Sequence, residues 1–248
     1  MNEAVLIENL SKRFYISILP RTMFNLFKRV AHHLRSRQAI WALKDINLKI
    51  LPGERVGIIG DNGSGKTTLL RIISGLYHPT HGHVHVSCQP AAFLQMGIGM
   101  ERDLSAYENI FLFGAIMGVR RQKIQSQLDD IINFADIKKF LHCPLRDFSS
   151  GMIQRVAFSI ARYVESDILL LDEMLATGDL GFRQKCFSLI EEYIRQSKTI
   201  IITSHETEMI RHFCTQCLWL DKGIQRAYGP ASAIVDEYIR SKHLTRPS

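Results

Sequence analysis

Apolar residues along this chain follow two periodicities, and the spacing changes over twice. Near the N-terminus the runs are short and strand-like, at Ala4–Ile7 and Ile46–Ile50. A Pro52-Gly53 turn then leads into the run Arg55–Ile59, followed by a predicted helix over Thr67–Ser74. Further strands are predicted at His83–Ser87 and Ala91–Gln95. From about Leu104 the spacing becomes helical, over Ser105–Met117, Val119–Ala135 and Ser149–Val164, with a loop carrying Pro144 before the last. Strand signals return at Ile168–Leu171, Thr199–Thr203 and Cys217–Leu220, alternating with helices over 180–197 and 206–213. Alternation at both ends around a purely helical middle predicts an α/β core with an inserted helical subdomain. There is no internal repeat and no low-complexity stretch.

Composition narrows this little, but charge adds to it. At 248 residues the chain suffices for one large core or two closely packed subdomains, and 46% hydrophobic residues is a globular balance. No apolar run approaches the roughly 18 residues of a membrane span, and the first residues lack a charged-then-apolar signal layout, so a cytoplasmic protein is expected. Five cysteines at irregular spacing then read as reduced thiols. Lys and Arg number 31 against 24 Asp and Glu, and the excess is local. Between Asn9 and Lys44 stand Lys12, Arg13, Arg21, Lys28, Arg29, Arg35, Arg37 and Lys44 with no acidic residue, while the remainder is near neutral.

The chemistry begins at Gly60–Thr67, GDNGSGKT, which matches G-x-x-x-x-G-K-[ST] at every fixed position. Gly60, Gly63 and Gly65 let a loop curl so that backbone N–H groups of Asp61, Asn62, Ser64 and their neighbours point at phosphate oxygens. Lys66 adds a charge between the β- and γ-phosphates, Thr67 supplies a hydroxyl for Mg²⁺, and Thr68 continues into a helix whose positive end faces the anion. A strand before and a helix after make a chance glycine-rich turn the poorer reading. Asp167–Glu173 is a buried-strand pattern that ends in two acids. It puts carboxylates at the sheet edge where the phosphate loop sits, Asp172 as a water-mediated Mg²⁺ partner and Glu173 as acceptor of a proton from attacking water.

Further motifs carry a family resemblance. Phe148-Ser-Ser-Gly-Met-Ile-Gln-Arg155 resembles the signature of ABC ATPases, Leu175–Asp179 their D-loop, Gln95 their Q-loop and Ser204-His205-Glu206 their switch histidine. Six elements in order span about residues 1–230. With S-S-G-M and the run from Leu175 to Cys186, the chain most resembles ATPase subunits of exporters of bacterial polysaccharides such as O-antigen, capsule or teichoic acid.

That resemblance implies the ABC ATPase fold, an α/β P-loop NTPase with a RecA-like core, an antiparallel β subdomain and an inserted helical subdomain. It would form one nucleotide-binding domain over 1–248: core about 1–95 and 166–229, helical subdomain about 96–165, a basic insert about 16–40 and a C-terminal helix 230–248. The resemblance also implies ATP and Mg²⁺ as ligands, with Thr67, Gln95 and Asp172 around the metal and Lys66, Glu173 and His205 as the catalytic groups. Two ATPase subunits would meet head to tail, the signature residues Ser149, Ser150, Gly151 and Met152 of one and Asp179 of its D-loop facing the phosphate loop of the other. Met152 stands where many relatives carry glutamine, which removes any side-chain hydrogen bond from that place. Phe14 stands where relatives often have the tyrosine that stacks on adenine, with Tyr15 adjacent.

A polytopic membrane permease, two copies expected, is the implied partner, with the chain peripheral on the cytoplasmic face of the inner membrane. The insert supports this environment. Met23, Phe27, Val30 and Leu34 make one apolar helical stripe, and Lys28, Arg29, His32, His33 and Arg35 lie on the other faces. Over residues 21–37 this suits an anionic membrane surface or a lipid-linked glycan; a helix packed on its own domain is the plain alternative. Nucleic acid is not an expected partner. A soluble ATPase acting on DNA or ribosomes is the rival function, but only about 80 residues separate Thr67 from Ser149, too few for long coiled coils. About 18 residues follow Pro230, enough for one helix over roughly Ala231–Ser241. His81, His83 and His85 alternate like surface strand residues, with a metal site the lesser reading, and Cys214 and Cys217 read as core thiols.

Overall fold

The computed structural model describes residues 3–17, 37–94, 97, 99–172 and 180–244. Its strands are β1 (Val5–Ser17), β2 (Arg37–Ile50), β3 (Arg55–Ile59), β4 (His81–Val86) and β5 (Ala91–Phe93), then β6 (Ile168–Leu171), β7 (Thr199–Thr203), β8 (Gln216–Asp221) and β9 (Ile224–Pro230). They form one sheet in the order β4-β1-β2-β9-β8-β3-β7-β6-β5. The half from β8 to β5 is parallel, and β4, β1 and β2 are antiparallel. Apolar alternation sets which core each residue enters. Val56 and Ile58, Ile168 and Leu170, and Ile201 pack towards α1 (Lys66–Ile73); Ile59, Leu169, Leu171, Ile200 and Ile202 pack on the opposite face. Each such aliphatic contributes about 1.5–3 kcal/mol by leaving water.

A third core lies among α2 (Ala106–Ile116), α3 (Arg121–Ser126), α4 (Leu128–Ala135) and α5 (Ser150–Ala161), around Ile110, Phe113, Ile131, Val156 and Ile160. Ser105 and Glu108 cap α2 reciprocally, each side chain accepting the other's backbone N–H. The buried Asn109 amide donates to the carbonyls of Glu101, Leu104 and Ser105 and accepts from the Glu101 N–H, fixing the entry loop. Helices α6 (Leu180–Arg195), α7 (Thr207–Phe213) and α8 (Ala231–Leu244) cover the other face of the parallel strands.

Several elements differ from the sequence reading. The single helix expected over Val119–Ala135 is two, broken at Gln127, whose backbone (φ −111, ψ 9) leaves the helical region. The break lets Ile124 pack on Gly114 of α2 while Ile131 and Ile132 serve the same core from α4. Strands β1 and β2 pair far beyond Ile7 and Ile46, out to Ser17 and Arg37, and so take up both edges of the segment read as an insert. The amphipathic stripe from Met23 to Leu34 lies outside the described residues. Strand β9 was not expected, and α8 runs past Ser241 to Leu244. Among the described residues no helix is long and apolar enough to cross a membrane.

Candidate nucleotide-binding site

Strand β3 delivers the chain to the C-terminal edge of the parallel sheet, and residues 60–65 turn it into α1. Gly60 has φ 148, and a Cβ there would stand 2.1 Å from the Leu220 carbonyl oxygen, so only glycine lets the loop pass β8. Gly65 caps α1 with φ 107 and no side-chain hydrogen bond, and no acidic residue occupies the first turn. The helix therefore turns its first-turn N–H groups and its positive end towards the loop, with no side-chain cap across them. Lys66 is 5% exposed, its ammonium donating to the carbonyls of Gly60 (2.8 Å) and Asp61 (3.1 Å). Ser64 Oγ is buried without a hydrogen-bond partner among the described residues. An inward cation, an orphaned hydroxyl and first-turn N–H donors form a donor set that fits phosphate oxygens.

Asp172 follows β6 and accepts a hydrogen bond from Thr203 Oγ1 at 2.5 Å. Thr203 ends β7 opposite Ile58 of β3, so Asp172 and the loop meet at one sheet edge. His205 comes two residues later and is exposed, while Ser204 is buried and accepts the Glu206 N–H at 3.0 Å. Arg183 of α6 pairs with the Glu206 carboxylate and so fixes the turn that carries His205. An aspartate held by the Thr203 hydroxyl, at the same sheet edge as the loop that ends in Thr67, supplies the hard oxygens that fit Mg²⁺.

The signature lies elsewhere, at the start of α5. Ser149 is its N-cap and its Oγ accepts the Met152 N–H at 3.2 Å, which leaves the N–H groups of Ser150 and Gly151 as first-turn donors. Phe14 and Tyr15 point to opposite sides of β1. Phe14 lies edge-on to Tyr77 with Lys12 over its face, and Tyr15 lies under Arg13. Gln95, Glu173 and Asp179 lie outside the described residues.

Away from this edge, His81, His83 and His85 share the exposed face of β4, and no group of three or more metal-binding side chains occurs among the described residues. Cys214 and Cys217 are buried, and burial pushes both thiols up, Cys217 to about 12.

The family model described as ABC transporter matches residues 43–176. The chain belongs to the ABC transporter family. Its relatives include the O-antigen export system ATP-binding protein RfbB of Myxococcus xanthus, 41% identical over 82% of this chain and 47% of that one. The teichoic acids export ATP-binding protein TagH of Bacillus anthracis is 37% identical over 96% and 43%, and a Klebsiella pneumoniae RfbB is 36% identical over 85% of each chain. This ABC chain thus spans about half the length of the first two relatives and most of the third. Among solved structures, the dimeric post-hydrolysis state of the ATP-binding cassette MJ0796 bound to ADP and Pi superposes with TM-score 0.73 over 92% of this chain and 98% of that one, at 22% identity. The fold is that of an ABC ATPase. Gly60→Ala tests how tightly this ABC loop is built: steric conflict with Leu220 is expected to cost about 2–3 kcal/mol, or some 5–10 °C in a nucleotide-free melt. An unshifted melt would mean the loop is free to move off β8.

Proposed function

We propose that this chain hydrolyses ATP as one of two identical subunits and drives a separate membrane protein that exports a lipid-linked bacterial polysaccharide of the O-antigen, capsule or teichoic acid type. The observation that carries this reading is the meeting of the phosphate loop, Asp172 and the His205 turn at one sheet edge, in a chain whose relatives are named for O-antigen and teichoic acid export. Lys66 turns from the Gly60 and Asp61 carbonyls to the β- and γ-phosphates, and the loop N–H groups and Ser64 take the remaining oxygens. Thr67, Asp172 and Gln95 would hold Mg²⁺, which when bound would supply positive charge to the phosphate oxygens. Glu173 accepts the proton of the attacking water and His205 holds both in line. Ser149, the N–H groups of Ser150 and Gly151, and Asp179 act from the partner subunit, and Phe14 stacks on adenine. A site divided in this way couples closure of the pair to hydrolysis.

The membrane partner docks in a cleft of about 890 Å³ between β5 and α2, lined by Phe113, Ile116, Met117, Arg71, Arg120 and Lys123. Ile116 is 54% exposed there, an apolar side chain suited to an interface core. Ile116→Asp is expected to reduce recovery of the membrane partner at least about tenfold, the cost of burying an unpaired charge, with an unchanged melt. Full recovery would move the docking site elsewhere. The chain sits peripherally on the cytoplasmic face, with residues 21–37 near anionic lipid or the glycan. A role on nucleic acid or ribosomes is not favoured, because the relatives are export subunits.

The reading is tested by deleting this chain in its host. Surface polysaccharide should disappear, its lipid-linked precursor should accumulate inside, and the parent sequence but not Lys66→Ala should restore export. Normal surface polysaccharide in the deletion strain would refute the cargo.

A further inference from the structure

Asp61 puts a carboxylate on the very loop that, on the reading above, receives a polyphosphate. An uncompensated negative charge there opposes anion binding. Compensation comes from α8, distant in sequence. Asp61 Oδ1 accepts a hydrogen bond from the Tyr238 hydroxyl at 3.0 Å, and the Lys242 ammonium pairs with the same oxygen. Tyr238 and Lys242 are one helical turn apart and share a face, with Lys242 Nζ 5.4 Å from the Tyr238 ring centre. The Lys242 contact is the main reason the Asp61 carboxyl lies below its ordinary range, and Tyr238 adds to it. Burial and the neighbouring carboxylate push the Tyr238 hydroxyl up to about 12, so it remains a donor at neutral pH.

Helix α8 is a firm base for these contacts. Ala231, Ile234 and Val235 are buried, and Trp219 meets Tyr238 edge to face at 5.7 Å. Trp219 lies on β8 opposite Ile59, the residue that precedes the phosphate loop. Asp236 on the same helix binds Arg211 of α7 at 2.5 Å, so α8 touches both the loop and the helix that follows His205.

We propose that Lys242 and Tyr238 are positioning residues for the phosphate loop, holding Asp61 and cancelling its charge so that the loop takes a nucleoside triphosphate at full affinity. The proposal rests on the loop being the ATP site. Its test is calorimetric titration of the full chain with MgATP, alongside steady-state hydrolysis. Lys242→Ala is expected to raise Kd and KM about three- to fivefold while kcat moves less than about twofold. Lys242→Arg keeps the parent's affinity. In an Asp61→Asn background, Lys242→Ala should have no further effect, because there is no charge left to cancel; a merely structural lysine would not be rescued. An unchanged Kd in Lys242→Ala, or the same loss in the Asp61→Asn background, overturns the proposal. Failure of the unaltered chain to bind ATP, or undiminished binding by Lys66→Ala, would instead remove the site reading itself and the proposal with it.

Discussion

Changing Lys66 to alanine should lower ATP affinity and turnover together, by at least about 100-fold. The estimate follows from charge-assisted hydrogen bonds worth about 1.5–3 kcal/mol each, to two phosphates, lost from a buried setting. The side chain is almost completely enclosed, and its ammonium bonds the Gly60 and Asp61 carbonyls inside the loop, so no exposed lysine can substitute for it. Alanine would leave those carbonyls facing an anion, which compounds the loss. Titration with MgATP and a phosphate-release assay check this directly. Parent-like binding and turnover would show that residues 60–67 are a structural turn and nothing more.

Glu173→Gln should separate binding from chemistry. Glutamine keeps the size and hydrogen-bonding reach of the side chain but cannot accept a proton, so hydrolysis should fall by about 10²–10⁴ with ATP affinity retained. With hydrolysis blocked, ATP should hold two subunits together through phosphate loop and signature, and the variant should elute as a dimer with ATP and as a monomer without it. Ser149 already caps α5 with the Met152 N–H, so this donor end is formed before any partner arrives. A variant that stays monomeric at saturating ATP would count against a site shared between subunits; parent-like turnover would take the proton-accepting role away from Glu173.

Most of this architecture was legible because the parallel strands are buried on both faces and must therefore be apolar throughout. Arg55–Ile59, Ile168–Leu171 and Thr199–Thr203 have the limits expected from the sequence. Strand β9 escaped because its residues are mostly half-exposed and include Gln225, Arg226, Gly229 and Pro230, leaving no apolar alternation. A turn signal was present: Lys222 (φ 49) and Gly223 (φ 80) form the left-handed pair that a two-residue hairpin favours. The outer half of β1 was equally hidden, because Lys12 and Arg13 lie over aromatic rings and not in an apolar core. At the site, the loop, Asp172 and the His205 turn were readable as local motifs. The contacts of Asp61 with Tyr238 and Lys242 join residues some 180 positions apart, and those of Thr203 with Asp172 and Arg183 with Glu206 likewise depend on folding. No local pattern encodes such pairs, although two polar groups four apart on a helix were there to be noticed.

The central claim, that this chain powers a membrane exporter, is tested most directly by what it holds on to in its own cell. The tagged chain would be recovered from host membranes in mild detergent and its partners identified and quantified. A polytopic membrane protein should come away in equal amount, released together with the chain and lost in Ile116→Asp. Recovery of the chain from the soluble fraction alone, bound to ribosomes or DNA, would contradict it.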